Sequence, residues 1–165
     1  MAGLNMTDAK SPKRPKSPVP DKRALRLRAV DADDVAVISA FLQDALIDLG
    51  DMAFIEGERR FAVVVTRFRW EDTPKKGDPK QPAERVLCGL SFEGVVRVQT
   101  RGIDARAEPR RIFELLAVQA EPEGVRLVLA GGAEVRLEMA EISIHLKDLG
   151  EPWPGFARPS HPDGD

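Results

Sequence analysis

The sequence predicts an α+β domain. One N-terminal amphipathic helix packs on a bent, mostly antiparallel sheet of about seven strands, which can curl into a partial barrel. Three stretches carry this expectation. Ile112 to Leu149 holds the runs IFELLAVQA, VRLVLA, AEVRLEMA and ISIHL between turn residues, the pattern of an antiparallel meander and the spine of the sheet. Arg59 to Trp70 (RRFAVVVTRFRW) is rich in β-branched and aromatic residues, which suit a pleated, half-buried surface. Between Ala32 and about Leu49, Val35, Ile38, Leu42, Ala45, Leu46 and Leu49 recur at helical spacing.

In chain order, residues 1–23 contain SPKRPKSPVPDKR and no apolar periodicity. Such a segment buries too little surface to offset its ordering entropy, so it reads as a disordered basic tail. It holds six basic and two acidic residues, a charge of +4, so the rest carries −6 of the chain's −2. A basic arm on an acidic body can touch nucleic acid or simply solubilise the chain, and its mixture with acids favours the second. Leu25 to Val30 alternates Leu25, Leu27 and Ala29 with Arg26 and Arg28, a short strand. Asp31 then reads as a helix N-cap, with Asp33 and Asp34 in the first turn and Gly50 as the stop. Val37 and Phe41 widen the apolar face, so the helix should lie across the sheet.

Met52 to Ile55 opens a hairpin that turns at Glu56-Gly57-Glu58 into the Arg59–Trp70 strand. Residues 71–84 (EDTPKKGDPKQPAE) read as a flexible hairpin connection. Arg85 to Gln99 follows, with Val86, Cys88, Leu90 and Phe92 on one face and Gly94 marking a bulge or turn within a long bent strand. Residues 101–111 form a basic connection, and Glu121-Pro122-Glu123-Gly124 a turn. At Gly131-Gly132, a two-residue loop would set apolar residues against charged ones. An odd loop pairs Leu129 with Val135, Leu127 with Leu137, Val125 with Met139 and Arg126 with Glu138, and is preferred because a one-residue slip reverses every side chain. The last sixteen residues, with their prolines, fit neither a helix nor a central strand. Trp153 and Phe156 are expected against a single domain spanning 24–156, and 157–165 as a flexible tail.

FAVVVTRFRWE (Phe61 to Glu71), LSFEGVVRVQTRGID (Leu90 to Asp104) and IHLKDLGEPWP (Ile144 to Pro154) resemble an uncharacterised alphaproteobacterial family, domain of unknown function 2948. The likeness covers about Leu25 to Pro154. It implies a single bacterial domain and carries over no functional residue, activity or cofactor.

The 165 residues are 42% apolar and 32% charged, which suits a soluble globular chain. No run approaches the ~20 apolar residues of a membrane helix. The single cysteine rules out an internal disulfide framework and fits a reducing compartment, so a cytoplasmic location is expected. Cys88 lies in an apolar alternation and reads as a buried structural thiol. His145 alternates with Ile144 and Leu146, and His161 lies in the tail. Neither has a nucleophile or ligand set beside it, so no catalytic residue, metal or cofactor is assigned. Asp31, Asp33 and Asp34 resemble a cation cluster by composition alone, and capping accounts for them better. Arginine is the strongest lead. Arg59, Arg60, Arg67, Arg69 and Trp70 form the candidate binding set, with Arg67 and Arg69 on one face and Phe68 and Trp70 on the other. Against it stands a wet sheet face whose arginines pair with acids across strands. The absence of tyrosine weakens any base-stacking platform. The leading expectation is a small non-enzymatic interaction module using a sheet face or edge, with a protein partner preferred to nucleic acid and no membrane. Nucleic-acid or anionic-ligand binding through the tail and the Arg59–Trp70 strand is the alternative, and an enzyme of unrecognised type the third.

Overall fold

The computed structural model describes residues 24–72 and 84–153. The 1–23 tail, most of the 71–84 connection, Phe156 and the 157–165 tail lie outside them. Nine strands, all paired antiparallel, form one sheet with a single α-helix among the described residues. In chain order they are β1 (Arg26–Ala29), α1 (Ala32–Phe41), β2 (Ala45–Ile55), β3 (Arg60–Phe68), β4 (Arg85–Glu93), β5 (Val95–Arg101), β6 (Ile112–Glu121), β7 (Gly124–Leu129), β8 (Glu134–Met139) and β9 (Ile144–Trp153). The sheet order is β1-β9-β4-β3-β2-β6-β7-β8-β5, with β1 and β5 as its edges, so it is not closed by strand pairing.

Gly94 alone joins β4, third across the sheet, to β5, its far edge. That link forces the sheet to coil back on itself. Gly94 has φ +80°, which a glycine adopts without strain. The coil encloses one core, to which every strand contributes alternate residues and α1 contributes Val35 and Ile38. The helix lies against β6 and β1. It therefore covers the concave side, and the convex side of β9-β4-β3-β2 faces outward.

Asp31 caps α1 as the sequence implies, accepting from the Asp34 N–H at 2.9 Å, while the Asp34 carboxylate accepts from Val30 N–H at 2.9 Å. The helix is shorter than its apolar spacing suggests. It ends at Phe41, and Ala45 begins β2. Ala45, Leu46 and Leu49 fit a helical stripe, but Ala45 and Ile47 also alternate with Leu46 and Asp48. The alternation prevails because Ala45 and Ile47 enter the core, and Asp44, at φ 66°, turns the chain in a conformation that aspartate tolerates.

Nine strands replace about seven, in part because Gly94 divides the Arg85–Gln99 stretch. β6, β7 and β8 form the expected meander. The fourth run does not continue it: β9 crosses to the other half and pairs with β1 and β4. There Ile144 and Leu146 meet the apolar faces of two strands at once. β9 also extends through Trp153, past the Gly150 and Pro152 expected to exclude strand. The ladder to β4 is broken between Leu149 and Trp153, and β1 pairs only with Ile144–Lys147, so Pro152 removes no bond the sheet uses.

The loop between β7 and β8 is odd, as its parity requires, but it is Ala130–Gly132 and shifts the register by two residues. Leu127 faces Val135 and Val125 faces Leu137, so the apolar face is kept. Arg126 consequently faces Arg136 rather than Glu138, and the Glu121 carboxylate bridges the two guanidiniums at 3.0 and 3.3 Å. At the preceding turn, a Cβ on Gly124 would sit 1.9 Å from the Leu137 carbonyl oxygen.

Candidate functional site

β3 sorts the arginine set by parity. Phe61, Val63 and Val65 point into the core, and Arg67 and Arg69 follow on the same side, 0% and 1% exposed. Arg60 points outward. Arg59, at the turn before β3 with φ 53°, is exposed. About 3.3 Å of rise per residue puts Arg59 roughly 25 Å from Arg67. The five residues therefore form no single surface.

Arg67 and Arg69 enter an enclosed charge cluster. Asp148, the third inward residue of β9 after Ile144 and Leu146, lies opposite Cys88 and beneath both guanidiniums. Arg67 donates to Asp148 from Nε and Nη2, both at 2.9 Å. It donates to Glu71 at 3.1 and 2.8 Å, and to the Phe68 carbonyl at 3.0 Å. All five of its N–H groups thus have acceptors. Burial opposes the charge of Arg67, but hydrogen bonds to Glu71 and Asp148 outweigh it and hold its pKa above the ordinary value. Arg69 reaches Asp148 at 3.3 Å and Glu71 at 3.5 Å. Asp148 also accepts from the Leu25 N–H at 2.8 Å, pinning the start of β1. Two of the segments that carry the family resemblance, Phe61 to Glu71 and Ile144 to Pro154, meet in this cluster. Its chemistry is structural: Arg67 keeps no donor for a ligand.

Cys88 is buried beside the same cluster. Burial pushes its thiol up to about 12, the Asp148 carboxylate adds to the rise, and Arg67 partly counters it. A thiol so placed stays protonated at neutral pH and is a poor nucleophile. His145 is exposed on β9. No group of three or more His, Cys, Asp or Glu among the described residues could hold a metal ion. Trp70 is half exposed, donates to the Gln43 carbonyl at 3.2 Å and stacks on Phe68 at 5.1 Å, with Arg85 4.6 Å over the Phe68 ring. An open groove of about 660 Å³ lies where β4 turns into β5, between Arg59 and the carboxylates of Glu93, Glu123, Glu138 and Glu141.

The convex face has a different composition. Register places Leu149, Leu87, Thr66 and Leu46 in one row across β9, β4, β3 and β2. Gly89 and Val64 lie side by side in the next row, and Ser91, Ala62 and Ala53 in the third. An outward sheet face in water is ordinarily polar. This one is apolar or small, and Leu149 is 38% exposed. Along its β1/β9 border stand Arg26, Arg28, His145 and Lys147, all exposed, and none makes an ion pair among the described residues. On the opposite side, Glu114 of β6 ends the Leu149 row and hydrogen-bonds the Asp44 carboxyl, a contact between acids that raises its pKa. Sequence reasoning missed this face. Its signal was present in the second parity of β3 and β4, where Ala62, Val64, Leu87 and Gly89 occupy positions that an exposed strand fills with charge.

A family model described as a protein of unknown function (DUF2948) matches residues 25–161, and the chain belongs to that family. No curated protein and no solved structure matches the chain. No described helix is long and apolar enough to cross a membrane.

Proposed function

We propose that this domain is an interaction module whose contact surface is the convex face of β9-β4-β3-β2. One observation carries the reading: the outward residues of the central strands are apolar or small, in three consecutive register rows, while the concave face already has its helix. Apolar area left in water favours covering by a partner at roughly 25 cal/mol per Å². Arg26, Arg28 and Lys147, which make no ion pair among the described residues, would then orient the partner rather than supply most of the affinity. Anion binding through the Arg59–Trp70 strand draws less support, because Arg67 spends its donors internally and Arg60 is held by Glu58 and Glu93 at 2.8 and 2.9 Å.

Site-specific photo-cross-linking of the full chain in the cells that make it tests the reading. A photoreactive residue at Leu149 should give discrete adducts, and one at Val37, also apolar and more exposed on the helix, should not. Absence of adducts from Leu149, or equal yields from both positions, would remove the convex face as a contact surface.

A further inference from the structure

We propose that the occupant of the convex face is a second copy of this chain, so that the protein is an isologous homodimer. The inference rests on the interaction-module reading and adds to it the identity of the partner. Its basis is the unequal charge of the two borders. Arg26, Arg28 and Lys147 line the β1/β9 side and make no ion pair among the described residues. Asp44 and Glu114 line the β2/β6 side, where the carboxyl of Asp44 lies against that of Glu114.

A two-fold axis in the interface plane and parallel to the strands exchanges left and right across the face. It sets the basic border of one copy against the acidic border of the other, twice, and lays the apolar rows of both copies between them. The crowded acids Asp44 and Glu114 then meet cations. A two-fold axis across the strands would instead put cations on cations, so the charges also select the orientation. Size is adequate: the six strands from β1 to β6, about 4.8 Å apart, span roughly 24 Å, and the nine residues of β3 or β4 roughly 30 Å. That is the same order as the about 800 Å² each partner gives to a standard interface.

The test uses sedimentation equilibrium of the full chain and two surface variants. One reverses the basic border (Arg26→Glu with Lys147→Glu). The other reverses the acidic border (Glu114→Lys with Asp44→Asn, since asparagine tolerates the left-handed backbone there). The wild type should be a dimer whose dissociation constant rises with salt. Each variant alone should associate at least about tenfold more weakly, because like charges face each other at both contacts. An equimolar mixture of the two variants should recover a one-to-one dimer, which also shows that both are folded. A monomeric wild type, or a dimer indifferent to both reversals, would overturn the proposal. If adducts from Leu149 persisted at a mass other than twice the chain's, self-association would fall while the convex face stood as a contact surface. If no adducts formed, both would fall.

Discussion

The inner face of β3 and the outer faces of β1 and β9 use the same residue types to opposite ends. Inside, Arg67 and Arg69 are enclosed, and every donor of Arg67 meets a carboxylate or carbonyl. Outside, Arg26, Arg28 and Lys147 stand exposed, with no ion pair among the described residues, beside an apolar field. One residue of register separates the two roles. The lesson is that an arginine's function is read from its strand parity before its local neighbours. A charge that continues an apolar parity is a buried strut, and a charge at the border of an apolar outward row is free to meet a partner.

The contrast can be broken most severely from the inside. Asp148→Ala leaves two enclosed guanidiniums without their shared acceptor, and removing one partner of a buried pair costs about 3–5 kcal/mol. Urea denaturation should show that loss, and a change under about 1 kcal/mol would mean that the cluster is hydrated. Next in size is Gly124→Ala. The added Cβ would meet the Leu137 carbonyl oxygen in the β8 backbone, where no side chain can give way. A loss of at least about 2 kcal/mol is expected on the same assay, since both crowding and backbone conformation oppose it.

Cys88 yields a pH signature. Its folded pKa is raised to about 12 by burial, whereas an exposed thiol titrates near 8.5. Between these values the unfolded chain loses a proton that the folded chain keeps. The contribution is therefore fully present below about pH 8.5 and is lost as pH rises towards 12. Wild type should lose stability faster than Cys88→Ala over that window, and native Cys88 should resist alkylation at pH 8 until the chain is unfolded. Parallel pH profiles would show that the thiol is not held protonated. The smallest effect belongs to the outer face. Lys147→Ala should alter stability by no more than about 0.5 kcal/mol, as surface changes away from packed features do, while shifting association and its salt dependence.

Much of the fold was legible in the sequence. The alternations became strands at Arg26 to Ala29, Arg60 to Phe68, Arg85 to Glu93 and on both sides of the Ala130–Gly132 loop, and Asp31 caps the helix. What escaped has physical causes. Residues 45–49 satisfy both periodicities, and only the tertiary demand for Ala45 and Ile47 in the core decides between them. The two-residue shift between β7 and β8 preserves the buried face, so hydrophobic pattern alone could not detect it. The placement of β9 between β1 and β4 is a long-range pairing with no local mark. The buried arginines did have one: Phe61, Val63, Val65, Arg67 and Arg69 share a parity. The match of Asp148 to that position on another strand did not.

The convex face is tested most directly by hydroxyl-radical footprinting of the full chain, inside the cells that make it and after purification to high dilution. Leu149, Leu87 and Phe68 on the convex face should be oxidised more slowly in the cell than in the dilute protein, while Val37 on the helix and Ile103 in the β5–β6 connection are oxidised equally in both. Equal labelling of Leu149, Leu87 and Phe68 under the two conditions would contradict a covered face and leave its apolar rows without a partner.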